Sequence, residues 1–342
     1  MHSAIVTGVS RGLGEALARL LLDRGFQVVG VGRRSSPQLA GGGYRFVDCD
    51  IGDLAAIGPA LDGPFAELAA AKPESVCLIN NAAVAGPVGV LGHLAAADIE
   101  ASLAVNLAGP VVIADRFCRV FADQAPRSRV INVSSGAAQS AIPGGSLYSI
   151  AKAGLEMLTR SLAAEHAAPG FRAITLRPGI IDTQMQTFMR SQSAERLPSV
   201  AMFQDFHTSG RLVAADVAAA RIVDRLVLAD VEQGRTYSYA ELGRAAPPPA
   251  AGPAGPSSVA TSSSGDSTIR RANGSGLAVQ IRATGAHASA QRSLTGNRGI
   301  VARQRVADRR SDADIVVGQR AVEVEQQRRR NGHRSGGRTR MR

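Results

Sequence analysis

Residues 1–245 alternate short runs of apolar, often β-branched residues with longer stretches whose apolar positions recur at helical spacing. The short runs predict seven strands: SAIVTG (3–8), FQVVGVG (26–32), YRFVD (44–48), SVCLIN (75–80), RVINVSS (129–135), RAITLRP (172–178) and RTYSYA (235–240). Between them the spacing predicts helices near 12–24, 53–71, 97–124, 146–167 and 213–229. Several strands are unbroken apolar runs, the pattern of parallel strands covered on both faces. Repeated strand–helix–strand units with right-handed crossovers give an α/β fold, a doubly wound parallel sheet with helices on both faces. Ligands in such sheets bind beyond the carboxyl ends of the strands, so the chemistry is expected just after them.

The pattern stops near Gly243–Ala250, where a proline cluster follows the last apolar run. Residues 246–342 open with APPPAAGPAGPSSVATSSSG, continue with scattered Arg, Gly and Ser, and contain no Phe, Tyr, Trp or Cys. Without large apolar side chains a segment cannot offset the entropy of ordering, so a low-complexity, disordered, Arg-rich tail is expected after a folded domain at 1–245. The formal net charge of +11 belongs wholly to that tail: residues 1–245 carry 22 basic and 22 acidic residues, residues 246–342 carry 17 arginines and 6 acids. Such a tail would hold polyanions nonspecifically and in a salt-dependent way. It has no aromatics for base stacking, so specific nucleic-acid binding is not expected, and a dispensable extension is the other reading.

Cys49, Cys77 and Cys118 lie in apolar runs at no metal-ligand spacing and read as core residues of a reducing compartment, with no metal site. There is no charged n-region followed by an apolar h-region, and no apolar run reaches the ~18 residues needed to cross a bilayer. A cytoplasmic protein without a membrane partner is therefore expected.

TGVSRGLG, Thr7 to Gly14, directly follows the first strand and precedes the helical EALARLLLDRG. Gly8 allows a tight turn, Gly12 lets the backbone approach a pyrophosphate, and Gly14 lets helix and strand pack closely, so that phosphates face a helix N-terminus. Taken alone the pattern also fits a glycine-rich turn with no ligand. The three-residue spacing between the first two glycines resembles the short-chain dehydrogenase/reductase family, whose loop reads T-G-x-x-x-G-x-G. The resemblance implies a Rossmann-like fold and a nicotinamide cofactor, with Ser10, Arg11 and Leu13 of the loop joining the glycines in holding it.

Which nicotinamide cofactor is carried by the second strand, VVGVGRRSS. Gly32 stands where NAD-using family members have Asp, and Arg33 and Arg34 follow. Guanidinium forks suit a phosphate, so NADP is expected, clamped by Arg33 and Arg11; solvated loop arginines are the alternative. The resemblance further implies that Asp50 of DCDIGD holds the adenine amino group with Ile51 alongside the ring. Asn81 of NNAA lies at the cofactor, where Ala83 replaces the glycine of the family's N-N-A-G. The resemblance likewise implies that Pro178, Ile181 and Thr183 of RPGIIDT lie at the nicotinamide.

Thirteen positions separate Ser135 of INVSS from Tyr148 of YSIAK, and Lys152 lies four beyond the tyrosine. On a helix Tyr148 and Lys152 share a face. A free phenol, with a pKa of ~10, is a poor acid–base group at pH 7, and a nearby ammonium moves it toward working pH. The Ser–Tyr spacing matches the family, and the resemblance implies reduction of a carbonyl by NADPH. Tyr148 is then the proton donor, Ser135 the hydrogen-bond partner of the substrate oxygen, and Lys152 the group that lowers the tyrosine pKa and binds the ribose. Asn106 of VNLAGP matches the family's anchor for a water chain; a polar residue on a solvated helix face is the alternative.

Residues 184–208 fall where the family places a mobile substrate lid, with Met185, Phe188, Met189, Met202, Phe203 and Phe206 as a soft apolar face or as packing onto the core. TGVSRGLGEALA, RVINVSSGAA and RPGIIDTQMQ look most like the branch of benzil reductases and sepiapterin reductases, over residues 3–240. That resemblance implies a small-molecule carbonyl substrate, a benzil-type dicarbonyl or aryl ketone. A pterin reductase or another alcohol dehydrogenase is the alternative within the family, and a cofactor sensor without turnover is the alternative outside it. The family pairs the helices at 97–124 and 146–167 across a subunit interface, which implies a homodimer or homotetramer.

Overall fold

The computed structural model describes residues 1–123 and 125–243, so the expected tail at 246–342 lies outside the described residues. Seven strands form one sheet: β1 (His2–Thr7), β2 (Gln27–Gly32), β3 (Tyr44–Asp48), β4 (Ser75–Asn80), β5 (Ser128–Val133), β6 (Phe171–Arg177) and β7 (Thr236–Ser238). Their order is β3-β2-β1-β4-β5-β6-β7, and every neighbouring pair is parallel. The chain reverses its direction of winding between β1 and β4, which opens a crevice at their carboxyl ends.

Alternate strand residues face opposite layers. Ala4, Val6, Ile79, Ile131 and Ile174 pack with Leu13, Leu17 and Leu21 of α1 (Gly12–Asp23) and Ala218 and Ile222 of α8 (Ala215–Ile222). Ile5, Val29, Leu78 and Val130 pack on the other face with Ile57, Leu61 and Phe65 of α2 (Leu54–Ala70), Ile113 and Phe117 of α4 (Gly109–Phe121) and Leu162 of α5 (Ser146–Glu165). The cysteines are buried, and burial pushes the Cys77 and Cys118 thiols up to about 12. Among the described residues no group of His, Cys, Asp or Glu could hold a metal ion.

Two departures from the sequence reading have physical causes. The helix expected at 97–124 is α3 (Ala96–Leu103) and α4 joined by one π turn, Ala104–Ala108, in which Gly109 N–H reaches back five residues to Ala104 O. A single π turn sits inside a continuous helix, and a spacing that predicts the helix does not specify which carbonyl each N–H reaches. Taken as one helix, Ala96–Phe121 is long and apolar enough to cross a bilayer by length and composition, although polar residues interrupt it before any unbroken apolar run reaches ~18 residues. Its residues Ile113, Ala114, Phe117 and Phe121 are built into the sheet's core. The strand expected at 235–240 ends at Ser238 because Ser238 and Glu241 form a reciprocal capping box that starts α9 (Tyr239–Leu242).

At the amino end of β5 the buried Arg129 caps the helical stretch that continues α8. Its Nη1 donates to the carbonyls of Leu226, Val227 (3.1 Å) and Ala229 (3.0 Å), at the end of the π-helical stretch Val223–Leu228 that continues α8. Those carbonyls have no partner within their own helix, and a guanidinium suits both their geometry and the negative end of the helix dipole.

Candidate active site

The crevice between β1 and β4 is locked by Thr7. Its Oγ1 accepts from the N–H groups of Asn81 (3.0 Å) and Ala82 (2.9 Å), while Asn81 Nδ2 donates to Thr7 O (2.9 Å) and Gly8 O (3.4 Å). Gly8 then turns with φ +76°, a conformation open to glycine. A methyl group on Gly14 would overlap Gly8 O and the Asn81 amide, so only glycine lets α1 start this close to β1. Asn81, expected at the cofactor, thus spends its side chain bracing the glycine loop. Ala83 is not among the described positive-φ residues, so its replacement of glycine costs no backbone strain.

Arg11 precedes α1 in extended conformation, exposed beside Ser10, and α1 begins with no side-chain cap on its free N–H groups. The Leu13 side chain is in the core, so this residue offers the crevice its backbone. At the end of β2, Arg33 and Arg34 are exposed; Arg33, with its side chain 70% exposed, lies 3.9 Å through Nη1 from Asp50 Oδ2. Asp50 Oδ1 accepts from Gly52 N–H at 2.9 Å, which shapes the turn after β3. Ile51 is only 5% exposed and packs in the core, leaving little of its side chain for an adenine ring.

The chemistry-bearing side chains converge at the carboxyl end of β5. Ser135 caps the short 3₁₀ turn Gly136–Ala138 by accepting from Ala137 N–H at 3.2 Å, which leaves its hydroxyl proton for Tyr148. Tyr148 stands in the first turn of α5 and Lys152 one turn on, with Nζ 5.4 Å from the centre of the tyrosine ring. Lys152 is 1% exposed and donates to Val133 O at 2.7 Å. Burial pushes the Tyr148 phenol up to about 12, against a hydrogen bond with Ser135 that acts the other way. Burial also takes Lys152 down to about 8. In this state, then, the phenol lies above its ordinary value and not near neutrality, because its burial outweighs the Ser135 hydrogen bond.

Asn106 lies in the π turn, fully buried, so the solvated-face alternative fails. Its Oδ1 accepts from Val84 N–H (2.9 Å) and its Nδ2 donates to Val84 O (3.0 Å) and Ser102 Oγ (3.3 Å). The side chain therefore holds the β4–α3 loop, a task that spacing did not suggest. A second feature missed from sequence is a polar row under the site: Asn80 Nδ2 to Asn132 Oδ1 (2.9 Å), Asn132 Nδ2 to Thr159 Oγ1 (3.0 Å) and Thr175 Oγ1 to Thr159 Oγ1 (2.8 Å). Asn80, Asn132 and Thr175 are register partners on β4, β5 and β6, so the row pins α5 to three strands. Polar residues closing otherwise apolar runs were its only sequence signal.

After β6, Pro178 and Gly179 turn the chain over the crevice. A bridge with Val213 uses the N–H groups of Asp182 and Val213 and leaves out those of Ile181 itself. Thr183 packs on Gly12, with its Cγ2 3.2 Å from where a methyl group there would stand. The roof continues as α6 (Gln184–Arg190) and α7 (Val200–Thr208). Phe188 lies against Gly86, and Ser199 Oγ donates to Pro143 O (3.0 Å) just before α5, so the roof spans from the glycine loop to the tyrosine helix. Its six apolar residues divide: Met189 and Phe203 are buried with Val88, Leu197 and Val200, and Phe206 packs on them, whereas Phe188 and Met202 are exposed and Met185 is half-buried.

Comparison with known proteins agrees with this architecture. A family model described as short chain dehydrogenase matches residues 2–194. The chain is 28% identical over 244 residues to benzil reductase ((S)-benzoin forming) of Bacillus subtilis (strain 168), covering 71% of this chain and 100% of that protein. It is 27% identical over 253 residues to the protein of the same description from Bacillus cereus, covering 70% and 100%. Among solved structures, the KRED1-Pglu enzyme superposes with a TM-score of 0.61 at 27% identity, over 69% of this chain and 100% of its own. The family model takes in more than half of the sequence, and the chain belongs to the short-chain dehydrogenase family of oxidoreductases.

Proposed function

We propose that this protein is an NADPH-dependent carbonyl reductase that acts on one ketone of a benzil-type dicarbonyl or on an aryl ketone. The observation that carries the reading is the convergence of the Ser135 hydroxyl, hydrogen-bonded to a protonated Tyr148 phenol, and a buried Lys152 ammonium at one strand end.

The residues fit a dinucleotide. The cradle made by Gly8, Gly12 and Gly14 would be filled by side chains, and the uncapped start of α1, with Ser10, Arg11 and the Leu13 backbone, suits a pyrophosphate. Arg33 with Arg11 would take a ribose phosphate, Asp50 the adenine amino group, Lys152 the second ribose, and Pro178, Ile181 and Thr183 the carboxamide end. When bound, the nicotinamide supplies the hydride that the carbonyl carbon accepts. The rest is this chain's chemistry. Ser135 donates to the carbonyl oxygen and fixes it beside Tyr148. The phenol gives that oxygen its proton, and the ammonium 5.4 Å from the ring stabilises the phenolate left behind. Exposed Phe188 and Met202 on the roof favour an apolar, aromatic substrate, as do the benzil reductases among its relatives. Exposed Val111 on α4 and Ile150 and Met157 on α5 support pairing of two copies across those helices.

Loss of NADPH absorbance with benzil, sepiapterin and an aryl aldehyde, each repeated with NADH, tests the reading. Benzil turnover with NADPH preferred is the expected result. Binding of NADPH without turnover of any carbonyl would move the protein to the cofactor sensors. Arg33→Ala is expected to raise KM for NADPH about tenfold, the worth of one charge-assisted hydrogen bond, with KM for NADH unchanged. Equal losses with both cofactors would remove Arg33 from the phosphate.

The pH dependence follows from the two shifted groups. Tyr148, pushed up to about 12, keeps its proton throughout the working range, so it sets no limb there. Lys152, taken down to about 8, carries its charge only below that pH. The kcat/KM for reduction is therefore expected to be flat through neutrality and to fall above about pH 8. A profile that rises with pH through this range would contradict the assignment.

A further inference from the structure

We propose that Glu156 and Arg177, bridged to β5 by Ser134, are positioning residues that hold the Tyr148–Lys152 turn of α5 against the strand ends; the inference rests on the reductase reading above. Tyr148, Lys152 and Glu156 stand at i, i+4 and i+8 on one face of α5. The Glu156 carboxylate is taken by a two-pronged fork, Arg177 Nε to Oε1 at 2.8 Å and Nη2 to Oε2 at 2.7 Å. Ser134 shares its hydroxyl proton between Glu156 Oε1 (2.9 Å) and Lys152 O (3.2 Å), and Ser134 N–H donates to Leu176 O (2.7 Å). With Lys152 Nζ on Val133 O, one turn of the helix is thus fastened to residues 133, 134 and 177 on two strands.

The placement sets this cluster apart from an ordinary surface ion pair. Glu156 and Arg177 side chains are 13% and 20% exposed, so water screens them weakly, and paired prongs fix orientation as well as distance. Ser134 is followed directly by Ser135, and Arg177 by the Pro178–Gly179 turn that starts the roof. The cluster therefore joins three things that must keep register: the serine, the tyrosine–lysine pair and the root of the roof. Burial alone would raise the Glu156 carboxyl, but the hydrogen bonds of Arg177 and Ser134, with the charges of Arg177 and Arg160, bring it below its ordinary value, so it stays ionised at neutral pH. No step of carbonyl reduction uses either side chain, which leaves geometry as their contribution.

The test uses the full chain and its two lysines, Lys72 and Lys152. Lysine labelled with ¹³C at Cε gives two NMR signals, and Lys72→Arg assigns them. Glu156→Gln keeps the size and an acceptor for Ser134 but breaks the fork. It is expected to lower kcat for benzil roughly tenfold or more, with KM for benzil and NADPH unchanged, as misplacement of reacting groups does. In the same variant the Lys152 titration midpoint is expected to move up from about 8, because a loosened turn lets water reach the ammonium. Loss of the carboxylate charge alone would move it down. Ser134→Ala, which spares the ion pair, is expected to shift both readouts in the same directions by less. An unchanged kcat in Glu156→Gln overturns the proposal, and so does a Lys152 midpoint that stays or falls. A wild-type protein that reduces no carbonyl would sink the reductase reading instead, and the Lys152 midpoint would still decide the positioning role.

Discussion

Tyr148→Phe is expected to lower kcat for carbonyl reduction by about a thousandfold, within the usual span for removing a general acid. The substitution takes away one oxygen and leaves the ring, so the face that Lys152 Nζ approaches at 5.4 Å is kept. Ser135 still donates to the substrate oxygen, which is why activity falls to a residue and not to zero. The glycine cradle and Arg33 lie elsewhere in the crevice, so NADPH affinity is expected to hold. Single-turnover kinetics with benzil, beside a fluorescence titration of NADPH, checks both halves. A variant that kept more than a tenth of the rate would require another proton donor.

The largest expected effect on stability is at Arg129. Arg129→Met keeps most of the side chain's length but leaves the carbonyls of Leu226, Val227 and Ala229 without their donor. Burial holds the Arg129 guanidinium below its ordinary pKa, so removing the charge returns some solvation energy. Three orphaned acceptors at a helix end cost more: unsatisfied buried groups run to about 1–3 kcal/mol each, and a net loss of about 3 kcal/mol is expected. For a folded unit of this size that lowers Tm by roughly 6–12 °C. Thermal unfolding followed by circular dichroism measures it, and a shift of under a degree or two would mean that water replaces the arginine there.

The middle of the sheet was legible because β1, β2, β4, β5 and β6 are buried on both sides and read as apolar runs between turn residues, while the part-buried edge strands β3 and β7 were marked by their place in the alternation. The same holds for Tyr148 and Lys152, whose spacing alone puts them on one helical face, as found. What the sequence did not disclose depends on burial and on distance along the chain. Glu156 and Ser134 are 22 positions apart and Glu156 and Arg177 are 21, and only the sheet brings them together. Asn106 read as a water anchor or a solvated residue because periodicity is blind to a π turn and to the Val84 backbone it meets. The roof's methionines and phenylalanines could not be sorted in advance, since core-facing Met189 and exposed Met202 obey the same pattern. The Tyr148 phenol lies above its ordinary value in this state because burial strips water from it, a cost that a spacing argument does not count.

The scarcity of lysine decides how the protein meets amine-reactive reagents. Lys152 is sealed, its Nζ on Val133 O, while Lys72 stands exposed in the turn before β4. The six residues of β4 carry the chain about 20 Å from that turn to the crevice. An amine-coupling linker therefore attaches at Lys72 or at the α-amine of Met1, which bonds to Glu74 on the same end of the sheet, away from the crevice. Bound to a support through that end, the folded domain would turn its crevice away from the surface.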